Sequence, residues 1–216
     1  MLTYKRMMTR RQKQEEETES MPVETMLTFL NNCTPEARLD FHVASQCAPV
    51  LKGIKVSNLI SVGAGGWLRI REYLKKNGIV CVFLYTDGER ETVFLYRPEK
   101  LAAHLNREDV RGFLRKYGYD RLDIGSVLRR LRKRYLQYAE GRSDFPHELG
   151  VLLEYPVGDV EGFIENEGRN WLVSRYWKVY HNPQEAERKF RMYDQAKEQA
   201  MLEVINGWSL DRVAVS

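Results

Sequence analysis

Apolar residues recur along this chain at two spacings, and each run is bounded by a recognisable start or stop signal. Met26, Leu27 and Leu30 predict a short helix over residues 22–31. Thr34-Pro35-Glu36 opens a second helix, with Thr as cap and Pro in the first turn. That helix is expected to run to about residue 46 and to break at Pro49, whose ring removes a helical N–H. Lys52-Gly53-Ile54-Lys55 reads as an irregular connection into a strand over 58–62. An amphipathic helix over 67–76, stopped by Asn77-Gly78, leads to a strand over 79–85 that is apolar on both faces. The Asp87-Gly88 turn folds that strand back on residues 92–97 through a hairpin loop of about four residues.

The second half reads as helices over 98–105, 108–116, 123–139, 146–154 and 157–165. A β-prone run over 171–180 predicts a strand with Tyr176, Lys178 and Tyr180 on one face and Trp177 and Val179 on the other. Asn182-Pro183-Gln184-Glu185 caps a last long helix with the apolar stripe Ala186, Phe190, Tyr193, Ala196, Ala200 and Val204. The sum is an α+β fold, a mostly helical single domain over residues 21–216 around a small mixed or antiparallel sheet. Residues 1–20, five basic residues between Lys5 and Lys13 and then Glu15, Glu16, Glu17 and Glu19, read as a mobile polar tail.

Composition narrows the class. With 43% hydrophobic and 30% charged residues, the 216-residue chain is not disordered throughout. Its longest apolar run, 79–85, is far short of the roughly 18 to 20 residues of a membrane-spanning helix, and no leader opens the chain. The expected location is therefore cytoplasmic, without a membrane partner. Cys33, Cys47 and Cys81 form no CxxC pair, so neither a disulfide framework nor a thiolate zinc site is indicated. His147-Glu148 resembles the start of HExxH, but Val151 stands where the second histidine is needed, and His42, His104 and His181 offer no close pair. No metal site is expected, and any cofactor is left unknown. Gly63-Ala64-Gly65-Gly66 lies between strand and helix, where backbone N–H groups can hold a phosphate. Leu68 occupies the last glycine position of GxGxxG and no Lys-Ser or Lys-Thr follows, so a plain turn is the better reading.

The net charge of +4 conceals a concentration. Between Arg107 and Arg134 lie ten basic and four acidic residues, a local +6 that leaves −2 for the remainder. Arg129, Arg130, Arg132, Lys133 and Arg134 are the densest part, on a helix whose other face carries Ile124, Val127, Leu128, Leu131 and Tyr135. Such a face attracts polyanions, which makes a non-enzymatic protein that docks nucleic acid or an acidic protein partner one functional reading. A solvated helix face is the plainer one.

Cys47, near a helix end and followed by Lys52 and Lys55, is a candidate thiolate with His147 as its proton partner, although free cysteines are more often buried and inert. The segments Cys47-Ala48-Pro49-Val50-Leu51-Lys52-Gly53-Ile54-Lys55, Phe145-Pro146-His147-Glu148-Leu149-Gly150, Tyr155-Pro156, Asp159-Val160, Gly162-Phe163-Ile164 and Tyr176-Trp177-Lys178-Val179-Tyr180 together resemble a bacterial domain-of-unknown-function family, seen chiefly in anaerobic Firmicutes. The resemblance spans residues 24–206 and implies no activity or cofactor. In that pattern glycine is usual at the positions of Glu154 and Arg175, and a cysteine often lies where this chain has Val173 and Ser174, which weakens a redox cluster and leaves Cys47 alone.

The family-like residues fall in turns and helix starts, where they fill a core poorly and build a site well. The leading expectation is a pocket for a small anionic ligand walled by residues 47–58, the His147 helix start and the 176–180 strand. Lys52 and Lys55 would supply charge, Asn58 orientation, Tyr176 and Lys178 a wall, and Cys47 with His147 any thiol or acid-base chemistry. Whether the protein is an enzyme is left open.

Overall fold

The computed structural model describes residues 21–215; the tail expected over 1–20 lies outside them. The fold is α+β, mostly helical, around a small antiparallel sheet. Helices α1 (Val23–Asn32) and α2 (Pro35–Leu51) lead to β1 (Ser57–Gly63), α3 (Gly66–Leu74), a 3₁₀ turn (Lys75–Asn77), β2 (Val80–Thr86) and β3 (Arg90–Tyr96). There follow α4 (Pro98–Leu105), α5 (Glu108–Lys116), α6 (Ile124–Ala139), α7 (Glu148–Leu152), α8 (Val157–Glu165), β4 (Val173–Ser174), β5 (Lys178–Val179), α9 (Pro183–Ile205) and α10 (Leu210–Val213).

β3 is the central strand of the order β1-β3-β2 and runs antiparallel to both neighbours. The expected strand-helix-strand unit is present, with the hairpin strand inserted between its two strands. Because side chains alternate along a strand, β3 feeds two cores. Val93 and Leu95 pack with α2, α3, α9 and α10, whereas Phe94 and Tyr96 pack with α4 to α8. A smaller cluster of Trp177, Val179, Ala186, Phe190 and Tyr193 ties the β4-β5 hairpin to α9. All six stripe residues expected on α9 are buried, and Asn182 caps that helix by accepting from the Glu185 amide.

Two elements differ from the sequence reading. α2 continues through Pro49 to Leu51, because a proline in the last turn forfeits only one helical bond while Val50 and Leu51 bury completely. The run over 171–180 is not one strand but a tight hairpin, Ser174 pairing with Lys178 and Val173 with Val179. The Tyr176 hydroxyl donates to the Asp194 carboxylate at 2.9 Å and its ring packs on Phe190 and Tyr193, which draws the reversal onto α9. The glycine turn after β1 is closed by the protein itself: the Glu91 carboxylate accepts from the amides of Gly65 at 3.0 Å and Trp67 at 2.9 Å. A carboxylate thus occupies the place a phosphate would take.

Candidate ligand-binding site

A cavity of about 300 Å³ opens between β1, the segment before α7, α8 and the β4-β5 hairpin. Leu59 forms its β1 wall, Leu149, Gly150 and Leu153 come from α7 and its end, Val160 and Phe163 from α8, and Trp177 and Lys178 from the hairpin. Phe145 and His147 complete it. Sequence dictates this convergence through one buried carboxylate. Asp159, in the first turn of α8, accepts from Trp177 Nε1 at 2.8 Å and from the amides of Tyr180 and His181 at 2.8 and 2.9 Å. Those three donors fix the hairpin to the helix and turn the Trp177 indole flat against Tyr155, with ring centroids 5.3 Å apart and an interplanar angle of 25°. Gly162, one turn further along α8, lets the hairpin approach; a Cβ there would lie 2.7 Å from the Tyr180 ring. Gly162→Ala is therefore expected to lower stability by about 1–3 kcal/mol, measured as a reduced urea midpoint.

The wall is aromatic, with two nitrogen bases at its edge. The His147 ring lies between Phe145 and Phe163, with centroids at 5.7 and 5.6 Å. Lys178 sits 4.3 Å from the Trp171 centroid and 5.6 Å from that of Phe163, and its ammonium donates to the Gly168 carbonyl at 2.7 Å. The other N–H groups of that ammonium have no partner among the described residues. An apolar, partly open cavity with one cation at its margin suits a molecule with a flat body and a single acceptor or anionic group.

Of the residues expected to line a site, the structure brings His147 and Lys178 together and sets the others apart. Cys47, Lys55 and Asn58 form a separate cluster: Lys55 Nζ donates to Asn58 Oδ1 at 3.0 Å, and Asn58 Nδ2 reaches Cys47 Sγ at 3.5 Å. Cys47 is fully buried, and burial pushes its thiol up to about 11, which opposes the thiolate expected beside two lysines. Lys52 is held by Glu203 at 2.5 Å and by the Val213 carbonyl at 2.9 Å. Tyr176 is committed to Asp194 and contributes to the cavity only through its neighbour Trp177. Tyr155, Asp159 and Phe163 were signalled by the family-like segments but given no role, because nothing in local sequence shows that they meet.

The basic helix is also less free than its composition implies. Asp123 caps α6, and Val127, Leu128 and Leu131 are buried. Arg134, expected on the exposed face, turns inward to pair with the fully buried Glu148, which also accepts from the Tyr119 hydroxyl. A buried carboxylate demands that counter-charge. Arg130 donates to the Tyr117 carbonyl at the end of α5, Arg129 to Ser126, and Arg132 lies over the Phe83 ring. Among the described residues no three His, Cys, Asp or Glu side chains come together to hold a metal ion, and no helix is long and apolar enough to cross a membrane.

The fold and site define an α+β protein with an aromatic cavity braced by a buried carboxylate. The family described as "Protein of unknown function (DUF3793)" matches residues 43–214, and the chain belongs to it. Every residue named as a wall of the cavity falls within that match. No curated protein and no solved structure matches the chain.

Proposed function

We propose that the protein binds a small, flat, mainly apolar molecule carrying one anionic group, in the cavity between His147, Phe163, Trp177 and Lys178. One observation carries the reading: two of the three segments expected to wall a pocket, the His147 helix start and the hairpin at Lys178, meet around one aromatic cavity. The ligand's ring system lies against Phe163 and the Tyr155-Trp177 pair, and its anion meets the Lys178 ammonium, with His147 beside it. A hydrogen bond between that ammonium and an anion is worth roughly 1.5–3 kcal/mol.

Calorimetric titration with 2-naphthoate tests this against its neutral analogue 2-naphthamide. The carboxylate is expected to bind at least about tenfold more tightly than the amide, and Lys178→Met should remove that preference in a protein that remains folded. Equal affinities for the two compounds in the wild-type protein would sink the reading. Binding through the basic helix is the second reading; with Arg134 and Arg130 engaged within the protein, it rests on Arg129, Arg132 and Lys133. Neutralising those three is expected to leave naphthoate binding intact.

A further inference from the structure

A second cavity, of about 280 Å³, backs onto the first across the stacked Tyr155 and Trp177 rings, which line both. Its other walls come from the end of α4, the start of α5 and the start of α9. In a chain of net charge +4 its lining has the opposite balance, the carboxylates of Asp109, Glu154, Asp159 and Glu185 against the cations Arg107 and Lys189. Arg107 is already paired with Asp109 at 2.7 Å.

Two side chains here hold unused capacity to accept. His104 is only 6% exposed, and its Nε2 lies 2.8 Å from the Val151 carbonyl oxygen. A carbonyl only accepts, so Nε2 carries the proton and Nδ1 presents a lone pair. No donor among the described residues meets Nδ1, and burial holds the imidazole below its ordinary pKa, in the neutral form that keeps that lone pair. Glu154 stands at φ +66°, a left-handed conformation that disfavours any side chain, with one carboxylate oxygen fixed by the Val56 amide at 2.8 Å and the other without a donor. Non-glycine residues held in such backbone conformations gather at binding and catalytic sites. A lone pair without a donor, a spare carboxylate oxygen, surplus negative charge and an aromatic wall all suit the same thing, a cation with N–H donors.

We propose that this second cavity is a binding site for a small organic ammonium ion, whose N–H groups are accepted by His104 Nδ1 and the Glu154 carboxylate and whose charge lies against the Tyr155 and Trp177 rings. The site is independent of the naphthoate-type site on the other side of that wall.

NMR titration of the full chain with 1,4-diaminobutane, 1,4-butanediol and succinate tests it. The diamine is expected to bind saturably and to shift the His104 ring signals, and the diol and the dicarboxylate are expected to do neither. Glu154→Gln keeps an acceptor for the Val56 amide but removes the charge, and should weaken diamine binding by about tenfold or more. If that variant unfolds earlier than wild type, Glu185→Gln, at an exposed position, is read in its place with the same expectation. Absence of saturable diamine binding, equal binding of succinate, or an unchanged dissociation constant in a folded carboxamide variant would overturn the proposal.

Discussion

Asp159→Ala is expected to lose about 3 kcal/mol of folding stability, because three hydrogen bonds to a charged acceptor, each worth roughly 1.5–3 kcal/mol, are lost while the cost of burying that charge is relieved. The carboxylate is 2% exposed and receives three donors, so its deletion leaves the buried Trp177 indole N–H and two part-buried backbone amides without their acceptor. Asp159→Asn should fall between the two. Its amide oxygen can still accept from Tyr180 and His181, but its NH₂ group would confront the Trp177 N–H, donor against donor. Urea denaturation of the three proteins checks the order, and 2-naphthoate binding should disappear with the brace even where the variant remains folded.

The opposite sign is expected at Lys55. Its side chain is 5% exposed, its ammonium donates among the described residues only to Asn58, and the rings of Tyr155 and Tyr193 stand 5.4 and 5.9 Å away. Burial presses its pKa from the ordinary 10.5 down to about 8. That displacement corresponds to about 3 kcal/mol of penalty on the protonated form. Between about 8 and about 10.5 the unfolded chain binds a proton that the folded protein does not, so stability contributed by this group rises with pH across that window. Below it the penalty is fully present. Lys55→Met should therefore stabilise the protein at pH 7 by about 2 kcal/mol, once about 1 kcal/mol is subtracted for the lost bond to Asn58. The gain should shrink as the pH is raised towards 10.5, followed by paired denaturation curves. A variant less stable than wild type at pH 7 would refute this account of the buried ammonium.

The contrast between these two residues shows what local sequence carries and what it does not. Helix α9 was legible in full, since Ala186, Phe190, Tyr193, Ala196, Ala200 and Val204 repeat at helical spacing behind an Asn-Pro-Gln-Glu cap. Helices α4, α5 and α8 were legible for the same reason, an apolar face with a start signal. Pro49 misled because its cost depends on how near the helix end lies, which the buried contacts of Val50 and Leu51 decide. The 171–180 run misled because Asp194, on another element, recruits Tyr176. At the site, His147 and Lys178 were identifiable as polar residues among aromatics, and they do share a wall. Lys52, Lys55 and Cys47 have the same local credentials, but Glu203, Asn58 and complete burial claim them elsewhere. The brace itself, Asp159 with Trp177 eighteen residues away, is a tertiary fact. No periodicity announces it.

The negative charge concentrated behind the Tyr155-Trp177 wall was equally hidden, because its carboxylates come from separate helices and loops of a chain whose overall charge is positive. Summing charge along the sequence located the basic helix instead, where folding then spends Arg134 on Glu148.

The most direct test of the central claim is an NMR titration of the isotope-labelled full chain with 2-naphthoate, read at individual residues. The cavity assignment predicts saturable shifts of the Trp177 indole N–H and of His147, Phe163 and Lys178, with no change at Arg129, Arg132 and Lys133. Binding that shifts the basic helix and leaves the Trp177 indole signal in place would contradict it.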